Sequence, residues 1–126
     1  MAKIIITDDE PMNLKMCDFI LTKNGYETVT VSSGEKCLEE LKNGADLVLL
    51  DVLMPGISGF ETYERIRNSG YDAPVVFLTA AEDDETLSSA GKYGICCLRK
   101  PFKPKELIEA VNNAINGVKG SEKRTV

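Results

Sequence analysis

The chain has 126 residues, 20 of them acidic, 15 basic and none histidine, for a formal charge of −5 at pH 7. A chain of that size suits one domain that buries roughly two-thirds of its unfolded surface, and its acidic field disfavours direct nucleic-acid binding and anionic membranes. The lack of histidine excludes Ser-His or Cys-His activation of a nucleophile, so any phosphohistidine chemistry has to come from a partner.

Taken in chain order, Ile4-Ile5-Ile6-Thr7 reads as a first strand that runs into Asp8-Asp9. Met12, Leu14, Met16, Cys17, Phe19, Ile20 and Leu21 then recur at three- and four-residue spacing, which predicts a helix stopped by Asn24-Gly25. Residues 26–31 follow as the second strand. Ser32-Ser33-Gly34-Glu35 and Ser58-Gly59-Phe60-Glu61 both match the S-x-x-E capping pattern and place helices at about 33–43 and 59–69. Between them Leu47-Val48-Leu49-Leu50 is a third strand ending in Asp51. Val75-Val76-Phe77-Leu78 runs into Thr79, a fourth helix is expected near 83–92, and Ile95-Cys96-Cys97-Leu98 leads to Lys100. Pro104 opens the last helix, whose apolar face is Leu107, Ile108, Val111, Ala114 and Ile115. Residues 1–118 make the domain, and the small, charged 119–126 read as a polar tail or the start of a linker.

No apolar run approaches the ~20 residues of a membrane span and no signal-peptide pattern opens the chain, so a cytoplasmic location is expected. Cys17, Cys37, Cys96 and Cys97 have neither metal-binding spacing nor the density of a disulfide framework. They read as reduced, mostly buried thiols.

Strict alternation of strands and helices predicts an α/β fold with a parallel sheet. The polar strand ends favour the flavodoxin-like (βα)5 order 2-1-3-4-5, because strands one and three then meet at the switch point and bring Asp8 and Asp9 beside Asp51. Thr79 and Lys100 line the same crevice. Three carboxylates in one crevice raise each other's pKa unless a cation offsets them, and hard oxygen donors with room for water suit Mg²⁺. An aspartate there can attack phosphorus, provided Mg²⁺ and the Lys100 ammonium neutralise the phosphoryl oxygens while Thr79 donates a hydrogen bond. Spacing alone leaves open which carboxylate attacks.

Asp8-Asp9, the run Asp51-Val52-Leu53-Met54-Pro55-Gly56-Ile57-Ser58-Gly59, Thr79-Ala80 and Lys100-Pro101-Phe102 together resemble the receiver domain of two-component response regulators, over about residues 3–117. The resemblance implies a signalling switch, a phospho-acceptor and not a turnover enzyme. It implies that Asp51 accepts a phosphoryl group from a phosphohistidine of a sensor histidine kinase or histidine phosphotransfer protein. It further implies that Asp8, Asp9, Asp51 and the backbone carbonyl of Leu53 hold Mg²⁺, that Lys100 contacts the phosphate, and that Thr79 moves toward it. Output is expected through the fourth-helix, fifth-strand and fifth-helix face, in a monomer or a phosphorylation-dependent dimer. Two departures stand out. Cys97 occupies the position that usually carries an aromatic switch residue, and Leu53 and Ala81 occupy positions that influence dephosphorylation without offering a group to orient water.

Other readings remain. The chain is either a stand-alone regulator or a receiver module cut from a longer regulator or hybrid kinase. A Mg²⁺-dependent aspartyl-phosphate hydrolase of the dehalogenase type calls for D-x-D after the first strand, where this chain has adjacent Asp8-Asp9. An FMN binder calls for a Ser/Thr/Gly-rich phosphate loop, which Asp9-Glu10-Pro11 would make repulsive.

Overall fold

A computed structural model describes residues 2–79, 96–100 and 102–124, with side chains described up to residue 116. Five strands, β1 (Lys3–Thr7), β2 (Glu27–Val31), β3 (Leu47–Asp51), β4 (Val75–Thr79) and β5 (Cys96–Arg99), form one parallel sheet in the order β2-β1-β3-β4-β5. Helices α1 (Pro11–Lys23), α2 (Gly34–Leu41) and α3 (Gly59–Asn68) and a C-terminal helix (Pro104–Arg124) cover its faces. The register, with Thr7 opposite Leu50 and Asp51 opposite Leu78, aligns the strand ends at one edge. The helix expected near 83–92 lies outside the described residues.

β1, β3 and β4 are buried on both faces, which is why their sequences are continuous apolar runs, whereas the edge strand β2 is half-buried and alternates. On one face Ile4, Ile6, Leu47, Leu49, Val76 and Leu78 pack under Cys17, Ile20 and Leu21 of α1 and Leu107 and Val111 of the C-terminal helix. On the other, Ile5, Val48, Leu50 and Phe77 meet Cys37 and Leu41 of α2 and Ile66 of α3. Phe77 is the largest fully buried side chain, and the Phe60 and Tyr63 rings meet it edge-on at 4.9 and 5.9 Å between centroids. Truncating such a ring costs about 3–5 kcal/mol.

Local signals act at the element ends. Gly25 (φ 90°) lets the chain turn out of α1, with the Tyr26 amide bonded to the Leu21 carbonyl at 3.1 Å, and Gly70 (φ 90°) ends α3 in the same way through Tyr71 and Ile66. Ser58 caps α3 as the capping pattern predicts, accepting from the Glu61 amide at 3.1 Å, while the Glu61 carboxylate pairs with Arg65. At α2 the cap is Ser33 and not Ser32: Ser33 Oγ accepts from the Lys36 amide, one residue later than the S-x-x-E pattern places it. Only Ser32 matches the S-x-x-E pattern, since Lys36 stands three residues after Ser33; Ser33 caps nonetheless, with the extended backbone (φ −154°, ψ 163°) that an N-cap adopts.

The helix expected from the spacing in α1 forms, but only part of its apolar set joins the core: Met12 is 71 % and Phe19 68 % exposed, and the face of α1 that packs on the sheet is Cys17, Ile20 and Leu21 with Leu14 at its margin. Residues 117–124, which include the start of the expected 119–126 tail, continue as helix to Arg124. The two glycines there are outweighed by Ser121-Glu122-Lys123-Arg124, which holds good helix formers.

Candidate functional site

Parallel strands deliver their carboxyl ends to one edge, and there the sequence places its polar residues. Asp8 follows β1, Asp51 closes β3, Thr79 closes β4 and Lys100 follows β5. Because β1 and β3 are neighbours, carboxylate oxygens of Asp8, Asp9 and Asp51 come within 4.8 Å of one another. Asp8 is fully buried, Asp51 is 6 % exposed, and Asp9 faces solvent. The pocket thus has two carboxylates set inside the protein and one at its mouth.

Lys100 ties the pair together across 92 positions of sequence, its Nζ lying 2.8 Å from Asp8 Oδ2 and 3.5 Å from Asp51 Oδ2. Its own amide donates to the Thr79 carbonyl at 2.6 Å, which anchors the residue to the end of β4. Thr79 is itself buried beside this edge. Asp8 Oδ1 accepts from the Glu10 amide at 2.9 Å, so the turn into α1 orients that carboxylate. The Leu53 amide donates to the Asp51 carboxylate, while the Leu53 side chain stands 65 % exposed at the rim.

The electrostatics follow from this geometry. Burial pushes the Asp51 carboxyl up, the Asp8 charge and a hydrogen bond with Asp8 push it further, and the Lys100 ammonium and the Leu53 amide oppose them; the result is about 7 instead of 3.8. One ammonium does not offset three clustered carboxylates, and the remaining negative charge is carried on hard oxygen donors. That donor set fits a small divalent cation such as Mg²⁺. Cys17 lies beneath the pocket near Asp8, and burial with that charge pushes its thiol up to about 12, so it is inert packing and not a nucleophile.

All five expected side chains therefore sit at one edge, with the three acids clustered and Lys100 in direct reach of Asp8 and Asp51. Ala80, Ala81 and Pro101 lie outside the described residues, as does the Glu82–Glu85 run, and of Cys97 only the backbone, paired with Phe77 in the sheet, is described. Two contributors were not singled out in the sequence: the Glu10 amide that orients Asp8, and the close approach of Gly59 to the end of β3, whose advance sign was its place in the run after Asp51.

A doubly wound parallel sheet with an acidic crevice and a lysine at its switch point defines the class of phospho-signalling α/β domains. The model of the response regulator receiver domain matches residues 4–112, and the chain belongs to that family. It is 28 % identical over 120 residues to the response regulator SaeR of Staphylococcus aureus, covering 94 % of this chain and 53 % of that protein. The chain thus spans about half the length of the curated relatives it matches. Among solved structures, the chemotaxis protein CheY4 of Vibrio cholerae superposes with a TM-score of 0.83 at 30 % identity, over 90 % of this chain and 98 % of that one. NtrX from Brucella abortus superposes with a TM-score of 0.89 at 27 % identity, covering 98 % of this chain and 29 % of that one. Membership places the chain in phosphorylation-based two-component signalling. Among the described residues no helix is long and apolar enough to cross a membrane.

Proposed function

We propose that this chain is a receiver switch in which Asp51 accepts a phosphoryl group from the phosphohistidine of a sensor kinase or phosphotransfer protein. The observation that carries the reading is Lys100 Nζ reaching both Asp8 and Asp51 in a pocket with three carboxylates. In the transfer, an Asp51 oxygen forms the new bond to phosphorus as the phosphorus–nitrogen bond to the donor imidazole breaks, and the imidazole leaves as the neutral ring once protonated. Asp8, Asp9, Asp51 and the Leu53 carbonyl are the groups that would hold Mg²⁺, which supplies charge neutralisation to the phosphoryl oxygens. Lys100 neutralises another phosphoryl oxygen, exchanging its contact with Asp51 for one with the phosphate. Thr79, at the end of β4, donates its hydroxyl to the phosphoryl group and in doing so passes the change to the chain beyond it.

The pocket's first need is an ionised Asp51, since only the carboxylate attacks. With Asp51 raised to about 7, a cation in the pocket both lowers that value and makes the nucleophile available, which gives Mg²⁺ dependence a physical cause. We read residues 1–118 as the receiver and 119–126 as a polar tail or the start of a linker, helical as far as Arg124. Output runs through the face that holds β5 and the C-terminal helix. A cytoplasmic setting suits the free thiols of Cys17 and Cys37.

Incubation with Mg²⁺ and a small acyl phosphate tests the assignment. One phosphoryl group is gained, hydroxylamine removes it, and Asp51→Asn blocks it, whereas Asp9→Ala weakens Mg²⁺ binding but leaves the acceptor. Full labelling of Asp51→Asn would refute the acceptor role, and steady turnover of phosphomonoesters would favour the hydrolase reading.

A further inference from the structure

Lys100 reaches Asp8 and Asp51 only if β3 and the loop after it are held in one place, and the structure shows what holds them. The Gly59 amide donates to the Val52 carbonyl at 2.8 Å. A β-carbon at Gly59 would run into the Asp51 carbonyl oxygen and lie 2.8 Å from Val52 Cα and 3.0 Å from the Asp51 carbonyl carbon. Those are backbone atoms and have no rotamer to move into. One turn on, the buried Thr62 donates its hydroxyl to the Ser58 carbonyl at 2.7 Å. From the opposite side comes Gly34, the first residue of α2, where a β-carbon would fall on Thr62 Oγ1 and lie 2.7 and 2.9 Å from Ile57 Cγ1 and Cδ1. The first turn of α3 is thus seated between the end of β3 and the start of α2 with no room for one carbon on either side.

Conformation does not explain these two glycines, because the positive-φ glycines are Gly25, Gly44, Gly56 and Gly70. Space does. We propose that Gly34 and Gly59 are positioning residues for phosphoryl transfer: by letting α3 seat against the acceptor backbone, they set the Asp51 carboxylate against Asp8 and Lys100. The inference rests on Asp51 being the acceptor. A displacement of about 1 Å in a reacting group costs as much as 10²-fold in rate, and the Lys100 to Asp51 separation of 3.5 Å has little slack to absorb it.

The test compares initial rates of Asp51 labelling by acetyl phosphate at saturating Mg²⁺, normalised to folded protein by circular dichroism. The variants are Gly34→Ala, Gly59→Ala and Gly70→Ala. Gly70 serves as the control, since it strains the far end of the same helix at φ +90° while a β-carbon there meets nothing within 4 Å. Gly34→Ala and Gly59→Ala are expected to label at least about tenfold more slowly, Gly70→Ala at the wild-type rate despite its lost stability. Thr62→Ala added to Gly34→Ala removes the atom that the new methyl meets and should restore much of the rate. Gly34 meets side chains where Gly59 meets backbone, so Gly34→Ala is the milder change, and the rate of its folded fraction decides the matter whatever Gly59→Ala does. Labelling of folded Gly34→Ala as fast as Gly70→Ala would overturn the inference. If the wild type labels and Asp51→Asn does not, the acceptor reading stands independently of this result; a wild type that takes no label at Asp51 would bring down both.

Discussion

Replacing Asp51 with Asn should make the metal-free protein more stable, by an amount that grows with pH. The native carboxyl is raised from 3.8 to about 7, so folding disfavours its charged form. The sign follows: below about pH 4 the group is protonated in both states and folding carries no penalty, whereas the penalty grows as pH rises and is complete above about 7. A tenfold change in proton affinity is worth about 1.4 kcal/mol, so the rise to about 7 sets a ceiling of about 4 kcal/mol at pH 8 and less than half of that at pH 5. The opposing pull of Lys100 at 3.5 Å is already contained in that ceiling, because the ammonium is one of the groups that set the value of about 7.

Urea unfolding of wild type and Asp51→Asn, with EDTA at pH 5, 6, 7 and 8, measures the difference directly. The gap in unfolding free energy should widen by about 2 kcal/mol from pH 5 to pH 8. Repeating the series in Mg²⁺ should narrow it, because the ion binds the native carboxylates of the wild type and stabilises it by mass action. A variant that is less stable than wild type at pH 8 without divalent ions, or a gain that ignores pH, would refute the view that burial and Asp8 hold Asp51 under strain.

Three other changes test neighbouring parts of the site and core. Lys100→Met leaves the fully buried Asp8 without its ion-pair partner and should cost about 3 kcal/mol in EDTA, with Mg²⁺ restoring part of it; an unchanged urea midpoint would show that the pair carries no stability. Thr7 is fully buried and its hydroxyl has no hydrogen-bond partner beyond the weakly accepting Cys37 sulfur, so Thr7→Val should hold or raise stability by up to about 1 kcal/mol, and a loss of that size in urea unfolding would contradict it. Leu53 projects at the rim without a group to place an attacking water, so Leu53→Asn with Ala81→Glu should shorten the phosphoryl half-life, and a half-life unchanged or longer by radiolabel decay would dismiss the pair as the cause.

The sheet order was legible because chemistry marked its ends. Asp8, Asp51, Thr79 and Lys100 each follow an apolar run, and one strand order brings them into one crevice, so the 2.8 Å contact of residues 8 and 100 follows from a pattern read one strand at a time. Helix faces were less legible for the opposite reason. In α1 apolar residues occupy positions 12, 14, 16, 17, 19, 20 and 21, an arc wider than the sheet can cover. Periodicity marks such a helix but does not choose its inner face. The neighbours do, since β1, β3 and the C-terminal helix take Cys17, Ile20 and Leu21 and leave Met12, Met16 and Phe19 outside. Gly34 and Gly59 are harder still. Their meaning lies in contacts with Thr62 and with the Asp51 backbone, and a residue that matters by having no side chain leaves no chemical mark in its own sequence. What is read along the chain is the presence of groups; what packing adds is where their absence is required.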